Sequence, residues 1–81
     1  IVTLEFENRF IGVVMDRFGK EVPVRRREEE RFSVRVQVAL SGQFYGWLTG
    51  LGTGARILAP AEVAEEYRAH LTKVLGQYID G

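Results

Sequence analysis

The segment Phe32–Leu40 constrains the fold most, because its side chains alternate strictly. Phe32 and every second residue after it are apolar, and the residues between them are polar or small. A period of two is the repeat of a β-strand that buries one face and leaves the other uncovered. We therefore predict a strand over Phe32–Leu40, with Arg35 and Gln37 on its polar face.

The start of the chain shows the same alternation and then changes to a helical period. Apolar and polar residues alternate over Ile1–Glu7, which predicts a first strand. Helical spacing follows in the apolar residues Phe10, Ile11, Val14, Met15 and Phe18. We predict that Asn8 caps the start of this helix and that Gly19 ends it.

A weaker strand, predicted over Glu21–Arg27, leads into a charged segment. Pro23 cannot donate a ladder hydrogen bond, so we expect this strand at an edge of the sheet. The segment Arg25–Arg31 begins with three Arg followed by three Glu. It has no apolar face, and we predict that it forms the solvated tip of a hairpin.

The second half of the chain repeats the order of strand and helix. Ser41 is predicted to cap a second helix, whose apolar side chains are Phe44, Trp47, Leu48 and Leu51. Ala55–Ala59 is predicted to be a short fourth strand with Ile57 facing inward. Pro60 falls in the first turn of a third helix. That helix carries the apolar stripe Val63, Tyr67, Leu71, Val74 and Tyr78.

This order of elements predicts an α+β fold, a ferredoxin-like βαββαβ sandwich with an added C-terminal helix. Two helices cover one face of a four-stranded antiparallel sheet, and right-handed crossovers give the strand order 4-1-3-2. The 81 residues suffice for one domain, which spans 1–81. The chain opens in a strand without an initiator Met, so we expect it to be a piece of a longer protein.

Charge and composition argue against several functions. Eleven basic and eleven acidic side chains cancel, so no long-range field attracts nucleic acid or anionic lipid. The chain has no Cys and one His, which excludes a thiolate metal site or a cluster of histidines. The longest apolar run, Ile11–Met15, is too short to cross a bilayer. We predict a cytoplasmic domain with no membrane contact, no metal and no cofactor.

Catalysis is also not expected. His70 lies in the middle of the third helix, and we interpret it as a helix-flank residue near solvent. Glu28–Glu30 lie in the predicted hairpin tip, where nothing shields them from water. Gly50–Gly54 leave a helix and enter a strand, which indicates helix termination and not a phosphate-binding loop. We predict no catalytic residue and therefore no enzyme.

The polar face of the predicted sheet carries the candidate site. The face has no aromatic residue for stacking on RNA bases, since its central positions are Thr3, Glu5, Ser33, Arg35, Gln37 and Ala39. One interpretation is that Arg35 forms a salt bridge with Glu5 across neighbouring strands. The other is that the arginines receive an anionic ligand or a protein surface. The candidate effector- or partner-binding residues are Arg35, Arg56, Gln37, Arg25 and Arg27.

Several segments resemble one known domain family. They are Val2–Phe6, Val14–Gly19, Phe32–Val38, Gln43–Leu48, Gly52, Ile57–Pro60 and Val63–Tyr67. In this order and spacing they resemble the C-terminal extension of bacterial WYL-domain transcriptional regulators, called the WCX domain. The resemblance covers nearly the whole chain.

The resemblance implies a function. In that family an N-terminal winged helix-turn-helix binds DNA, a WYL domain senses a ligand, and the ferredoxin-like extension helps in dimerisation and regulation. We expect a non-catalytic regulatory and dimerisation domain that forms a homodimer through its parent protein. Its implied effector is a nucleotide or single-stranded nucleic acid, and DNA is bound only through an N-terminal domain absent from these residues. The alternative is a free-standing, ACT-like sensor of small ligands.

Overall fold

In the computed structural model, which describes residues 1–79, four strands form one antiparallel sheet. The strands are β1 (Val2–Glu7), β2 (Val24–Glu28), β3 (Arg31–Val36) and β4 (Ala55–Ala59). The helices are α1 (Ile11–Phe18), α2 (Gly42–Thr49) and α3 (Ala61–Leu75), with short 3₁₀ turns at Asn8–Phe10 and Gly52–Gly54. The strand order β2-β3-β1-β4 confirms the predicted order and the ferredoxin-like α+β class with a C-terminal helix.

The core is built on the central strand β1. Leu4 lies opposite Val34 on β3 and Ile57 on β4, and Phe6 lies opposite Phe32. Leu4 and Phe6 are completely buried, and the rings of Phe6 and Phe32 stack with centroids 5.5 Å apart. Burial of each such side chain contributes about 1.5–3 kcal/mol to folding. The apolar positions of the alternating sequence therefore face the helices, as predicted.

Each helix contributes a buried aliphatic side chain to this core. They are Val14 of α1, Leu48 of α2 and Val63 of α3. Trp47 of α2 joins the first two helices, because its ring makes a T-shaped contact with Phe18 at the end of α1, at 5.5 Å. The helical spacing in the sequence thus placed each of these three side chains on the buried side of its helix.

Asn8 has a different role from the predicted helix cap. A 3₁₀ turn precedes α1, so that Phe10 occupies the cap position. The backbone N–H of Asn8 donates to the carbonyl of Glu30 at 2.9 Å, and its side-chain Nδ2 donates to the carbonyl of Glu29 at 3.0 Å. Asn8 therefore holds the β2–β3 turn against the beginning of the first helix.

The strand β3 is shorter than the alternation predicts. It ends at Val36, although the alternation continues to Leu40. Val36 lies opposite Val2, the first residue of β1, so the neighbouring strand offers no partner beyond this point. Val38 still packs against the core and Leu40 is exposed. The alternation in burial thus continues to Val38, beyond the last pair of the β1–β3 ladder.

The strand β2 lies at the sheet edge, as Pro23 predicts, and starts directly after that residue. The prediction that Arg25–Arg31 forms the hairpin tip is wrong, because the tip is much shorter. Paired strands continue to Glu28 and resume at Arg31, so only Glu29 and Glu30 form the turn. The charged segment is therefore mostly strand, and its side chains have defined faces.

The helix α3 packs against the rest of the domain as far as His70, and its last residues are exposed. Pro60 precedes it at the cap position, where its carbonyl accepts from the N–H of Val63. Further along the predicted stripe, Leu71 and Val74 are exposed, as is Tyr78 beyond the end of the helix. The molecule is accordingly elongated, with extents of 45 × 23 × 21 Å. Among residues 1–79 no helix combines the length and apolar character needed to cross a membrane.

A cluster of aromatic side chains between α2 and α3 was not predicted. Tyr45 is buried, and its ring contacts those of Tyr67 at 5.2 Å and His70 at 5.3 Å. The hydroxyls of Thr49 and Tyr67 are 2.7 Å apart and share a hydrogen bond. Burial raises the pKa of the Tyr45 hydroxyl, and the nearby Glu66 carboxylate raises it further. His70 thus packs on an aromatic ring at the flank of its helix.

Gly54 lies where the structure has no room for a side chain. A Cβ added there would lie 2.5 Å from Phe10 Cε2 and 2.6 Å from Glu7 Oε1. We expect Gly54→Ala to lower the free energy of unfolding by about 1–3 kcal/mol, because the Phe10 ring must move. Urea denaturation followed by circular dichroism measures this change.

Gly12 is the matched control for this substitution. It lies in α1, and a Cβ added there would meet nothing within 4 Å. We expect Gly12→Ala to raise the free energy of unfolding by up to about 1 kcal/mol, since Ala has the higher helix propensity. Equal effects of the two substitutions would show that close packing at Gly54 is unimportant.

Candidate partner-binding surface

The side of the sheet away from the helices carries the polar residues. Glu5 lies opposite Ser33 on β3 and Arg56 on β4, and Thr3 lies opposite Arg35. Directly opposed residues of antiparallel strands project to the same face. We call this surface the open face. Its members are Thr3, Glu5, Arg25, Arg27, Arg31, Ser33, Arg35 and Arg56.

Glu5 lies at the centre of the open face, although its side chain is only 3% exposed. Its Oε1 accepts hydrogen bonds from Arg56 Nε at 2.8 Å and from Arg31 Nη1 at 3.2 Å. Arg27 Nε lies 3.6 Å from Oε2. Because the three arginines come from β4, β3 and β2, this Glu5 cluster (Glu5, Arg27, Arg31 and Arg56) joins all four strands.

The arginines keep Glu5 ionised in spite of its burial. Burial alone raises the pKa of the Glu5 carboxyl, since it removes water from the charged form. The hydrogen bonds from Arg31 and Arg56, together with their positive charges, act in the opposite direction and outweigh burial. The pKa of Glu5 therefore lies below its ordinary value, and the carboxylate is charged at neutral pH.

Arg35 does not form the predicted salt bridge with Glu5. It lies opposite Thr3, and no carboxylate among the described residues is within ion-pair distance of it. The register explains the difference, because the β3 residue opposite Glu5 is the small Ser33. The guanidinium of Arg35 is thus available for other contacts, whereas Arg56 is held by Glu5.

Two shallow grooves meet at Arg35. The first has a volume of about 420 Å³ and includes Arg25 and Arg27 in its lining. The second, about 560 Å³, includes Gln37. Arg35 and Pro23 line both grooves. Four of the five predicted site residues therefore line these two adjoining grooves. We call the combined surface the Arg35 groove.

Arg56 is the predicted site residue that lies elsewhere. It is bound to Glu5 on the β4 side of the open face, outside the linings of both grooves. Arg27 connects the two regions, since it lines the first groove and also lies near Glu5. The open face thus consists of the Glu5 cluster and an adjoining groove in which Arg35 has no ion-pair partner among residues 1–79.

The sequence analysis did not identify Arg31 as an ion-pair partner of Glu5. We assigned it to a solvated hairpin tip, but it is the first residue of β3. The spacing contained a signal for this role. Arg31 lies two residues before Ser33 and four before Arg35, and the alternation places both of these residues on the polar face. A strand beginning one residue earlier would have included it.

The groove chemistry suits recognition of anions. A guanidinium offers a planar set of N–H donors that matches carboxylate or phosphate oxygens. The named residues of the open face include no aromatic ring, and Phe18, which lines the second groove and packs on Trp47, is the one aromatic side chain in the two groove linings. Among residues 1–79, no group of three or more His, Asp or Glu side chains is arranged to hold a metal ion.

Comparison with known proteins identifies one family. The WCX domain family matches residues 1–75 of the chain. The match runs from the residue before β1 to the last residue of α3 and confirms the resemblance found in the sequence. No curated protein and no solved structure matches the chain.

The Glu5 cluster generates a prediction on stability. We expect Glu5→Gln to lower the free energy of unfolding by about 2–3 kcal/mol, because three arginines lose a buried charged acceptor. Glu7→Gln is the matched control, since Glu7 is more exposed and bonds to Arg9 alone among the described residues, at 2.8 Å. Its expected cost is below about 1 kcal/mol. Similar costs in urea denaturation would contradict the central role of Glu5.

The same cluster predicts a dependence on pH. The folded pKa of Glu5 is below its ordinary value of 4.5, so the unfolded chain binds the proton more tightly. The stabilisation is fully present above pH 4.5 and is lost as the pH falls through the folded value. Denaturation from pH 7 to 2 should therefore show a smaller acid loss in Glu5→Gln than in the wild type. If the free energy of unfolding fell with pH in parallel for the wild type and Glu5→Gln, this contribution of Glu5 would be ruled out.

Proposed function

This chain belongs to the WCX domain family, and on that premise we propose that it is a non-catalytic regulatory domain of a WYL-type transcription regulator. The WCX family consists of regulatory accessory domains. We further propose that the chain is the C-terminal part of such a regulator and acts in the cytoplasm. DNA would be bound by an N-terminal helix-turn-helix domain of the longer protein.

The observation that carries this proposal is Arg35 in its groove. The helices leave the open face uncovered, and beside the groove the Glu5 carboxylate is paired with Arg27, Arg31 and Arg56. The guanidinium of Arg35 has no carboxylate within ion-pair distance among residues 1–79, and Arg25 lines the same groove. Such an arrangement favours an anionic effector that brings its own acceptor oxygens.

We assign this effector to nucleotides or single-stranded nucleic acid. Their phosphates present the oxygens that a guanidinium binds in a bidentate manner. Because Phe18 is the one aromatic side chain in the groove linings, most contacts would be made to the backbone and would depend little on base sequence. A carboxylate metabolite, as an ACT-like sensor would bind, is the competing ligand class.

Regulation requires that binding differ between two states of the parent protein. An effector in the groove, or a contact with a second subunit, would favour the state in which this surface fits it better. We propose that the parent is a homodimer and that this difference biases its binding of DNA. The rigid Glu5 cluster, which joins all four strands, would carry the groove as one body.

The absence of catalysis is part of the proposal. The groove linings contain arginines and hydroxyl residues, and their one carboxylate, Glu21, is exposed. His70 is occupied with Tyr45 at the α2–α3 contact. A general base beside an activated nucleophile is what hydrolytic or transfer chemistry would need. The described surface offers binding groups for a ligand and no such pair.

Titration of the chain tests the groove. The probes are an oligothymidylate of about ten nucleotides, ATP and citrate, and the readout is fluorescence anisotropy or calorimetry at several salt concentrations. We expect the oligonucleotide to bind and Arg35→Ala to weaken it at least about tenfold, with the salt slope reduced by about one. The control is Arg68→Ala, which removes the same charge from α3.

The outcomes separate the alternatives. Preferential binding of citrate would support the sensor of small carboxylates and overturn the phosphate assignment. Equal weakening by the Arg35 and Arg68 substitutions would indicate attraction by overall charge and not by the groove. No binding of any probe would remove the Arg35 groove as an effector site.

A further inference from the structure

The strand β2 is a free edge of the sheet with an uncovered apolar residue. It pairs with β3 on one side only, and the outward N–H and C=O groups of such an edge can pair with a further strand. Val24 is 43% exposed, whereas Ile57 on the opposite edge strand β4 is buried. The β2 edge is therefore the one that offers both backbone groups and apolar surface.

A small groove lies between this edge and the start of α1. Val24 lies opposite Val34 and Arg26 opposite Phe32, so both side chains project to the side of the sheet that carries the helices. Ile11, the first residue of α1, lines the same groove. We call it the Ile11 groove, and its lining residues are Asn8, Ile11, Val24, Arg26, Arg31 and Phe32.

The size of the Ile11 groove favours a single side chain as its occupant. Its volume is about 250 Å³. Sites for small molecules usually enclose more, about 300–1,000 Å³. Phe32 is buried in the core, and Ile11 and Val24 are the lining residues that expose apolar surface. A large aliphatic side chain from a partner would cover both of them.

The charge beside the groove specifies what accompanies that side chain. Arg26 forms no ion pair among residues 1–79. Directly opposed side chains of antiparallel strands lie about 5 Å apart, so an acidic residue opposite Arg26 would reach its guanidinium. The consecutive arginines at 25–27 repel a basic segment at the same time. The edge therefore selects an acidic strand.

We propose that the β2 edge binds an extended acidic segment of a partner protein, which adds an antiparallel strand to the sheet. An apolar side chain opposite Val24 would enter the Ile11 groove, and an acidic side chain opposite Arg26 would pair with it. The two partner residues are two positions apart, because alternate residues of a strand share a face. This site lies on the side of the sheet away from the Arg35 groove and goes beyond the proposed function.

The edge is regular where this contact is made. The ladder to β3 is continuous from Val24 to Arg26 and shifts its register only after Arg26. Asn8 donates to the carbonyls of Glu29 and Glu30, at 3.0 and 2.9 Å, and so fixes the β2–β3 turn to the beginning of α1. Both walls of the Ile11 groove thus belong to joined elements, which reduces the entropy lost on binding.

A capped peptide tests the site. The probe is a fluorescein-labelled Ser-Thr-Glu-Thr-Leu-Thr-Ser, and fluorescence anisotropy measures its binding at up to about 1 mM protein. We expect saturable binding that weakens in high salt, because Arg26 attracts the glutamate of the peptide. Peptides with Lys in place of Glu, or with Ala in place of Leu, should bind at least about tenfold more weakly.

Two matched substitutions in α1 locate the contact. Ile11→Asp places a charge in the groove, whereas Val13→Asp changes a residue outside its lining. The two wild-type side chains are 37% and 38% exposed, and both lie in the first turn of α1, where an acidic residue is favourable. We expect Ile11→Asp to weaken peptide binding at least about tenfold and Val13→Asp to change it by less than about twofold. Circular dichroism verifies that both variants are folded.

Two N-methylated peptides test the backbone pairing. Alternate N–H groups of a strand point to the same side, so methylation of Glu and Leu removes one set of donors and methylation of the threonines removes the other. One set faces β2 and the other faces away from it. We expect one of the two peptides to lose binding and the other to retain it. Equal binding by both would overturn the addition of a strand.

Other results overturn the inference in distinguishable ways. The absence of saturable binding up to about 1 mM protein would remove the site. Equal weakening by the two α1 variants would place the contact elsewhere. Displacement of the peptide by an equal concentration of hexanoate would assign the groove to small carboxylates. Self-association in sedimentation velocity that Ile11→Asp abolishes would assign the edge to a second copy of the chain. The oligothymidylate titration of the Arg35 groove is independent of each result, so the proposed function stands or fails separately.

Discussion

A buried carboxylate at the centre of the sheet determines how the rest of the sheet is arranged. Glu5 lies between Leu4 and Phe6, so β1 must carry a core on one face and an ionised group on the other. Burial of an unpaired charge would cost several kcal/mol, a large part of the roughly 5–15 kcal/mol by which a domain is stable. The arginines that remove this cost come from all three other strands, and they tie the sheet together where no helix covers it.

The arginines that pair with Glu5 are therefore different from the arginine proposed to bind a ligand. Arg31 and Arg56 donate hydrogen bonds to the buried Glu5 carboxylate, whereas Arg35 contributes no ion pair among the described residues. The aliphatic stems of these arginines also shield the sheet from water, so that no second layer of helices is required. A ligand bound by Arg35 would compete with no structural interaction of that residue, whereas one bound by Arg56 would.

Much of the fold could be predicted from the sequence because burial repeats locally. The alternation around Leu4 and the helical spacing around Leu48 identify the buried side of each element, and short connections leave little choice of strand order. The ends of elements could not be predicted in this way. The strand β3 stops at Val36 because β1 begins opposite it, and Asn8 binds the distant β2–β3 turn in preference to capping α1. Both facts depend on neighbours that no local period reveals.

The arrangement of the candidate site could likewise be predicted only in part. Alternation correctly assigns Glu5 and Arg35 to one face, but which arginine meets the carboxylate depends on a register offset of two residues. In the observed pairing of β1 with β3, Ser33 lies opposite Glu5, and the hydrogen bonds from Asn8 to the carbonyls of Glu29 and Glu30 continue the same register beyond Glu7. In a register with Arg35 opposite Glu5, the two side chains could pair with each other, and Arg35 would not be available to a ligand. The availability of Arg35 thus arises from the register between β1 and β3, which the period of the sequence does not determine.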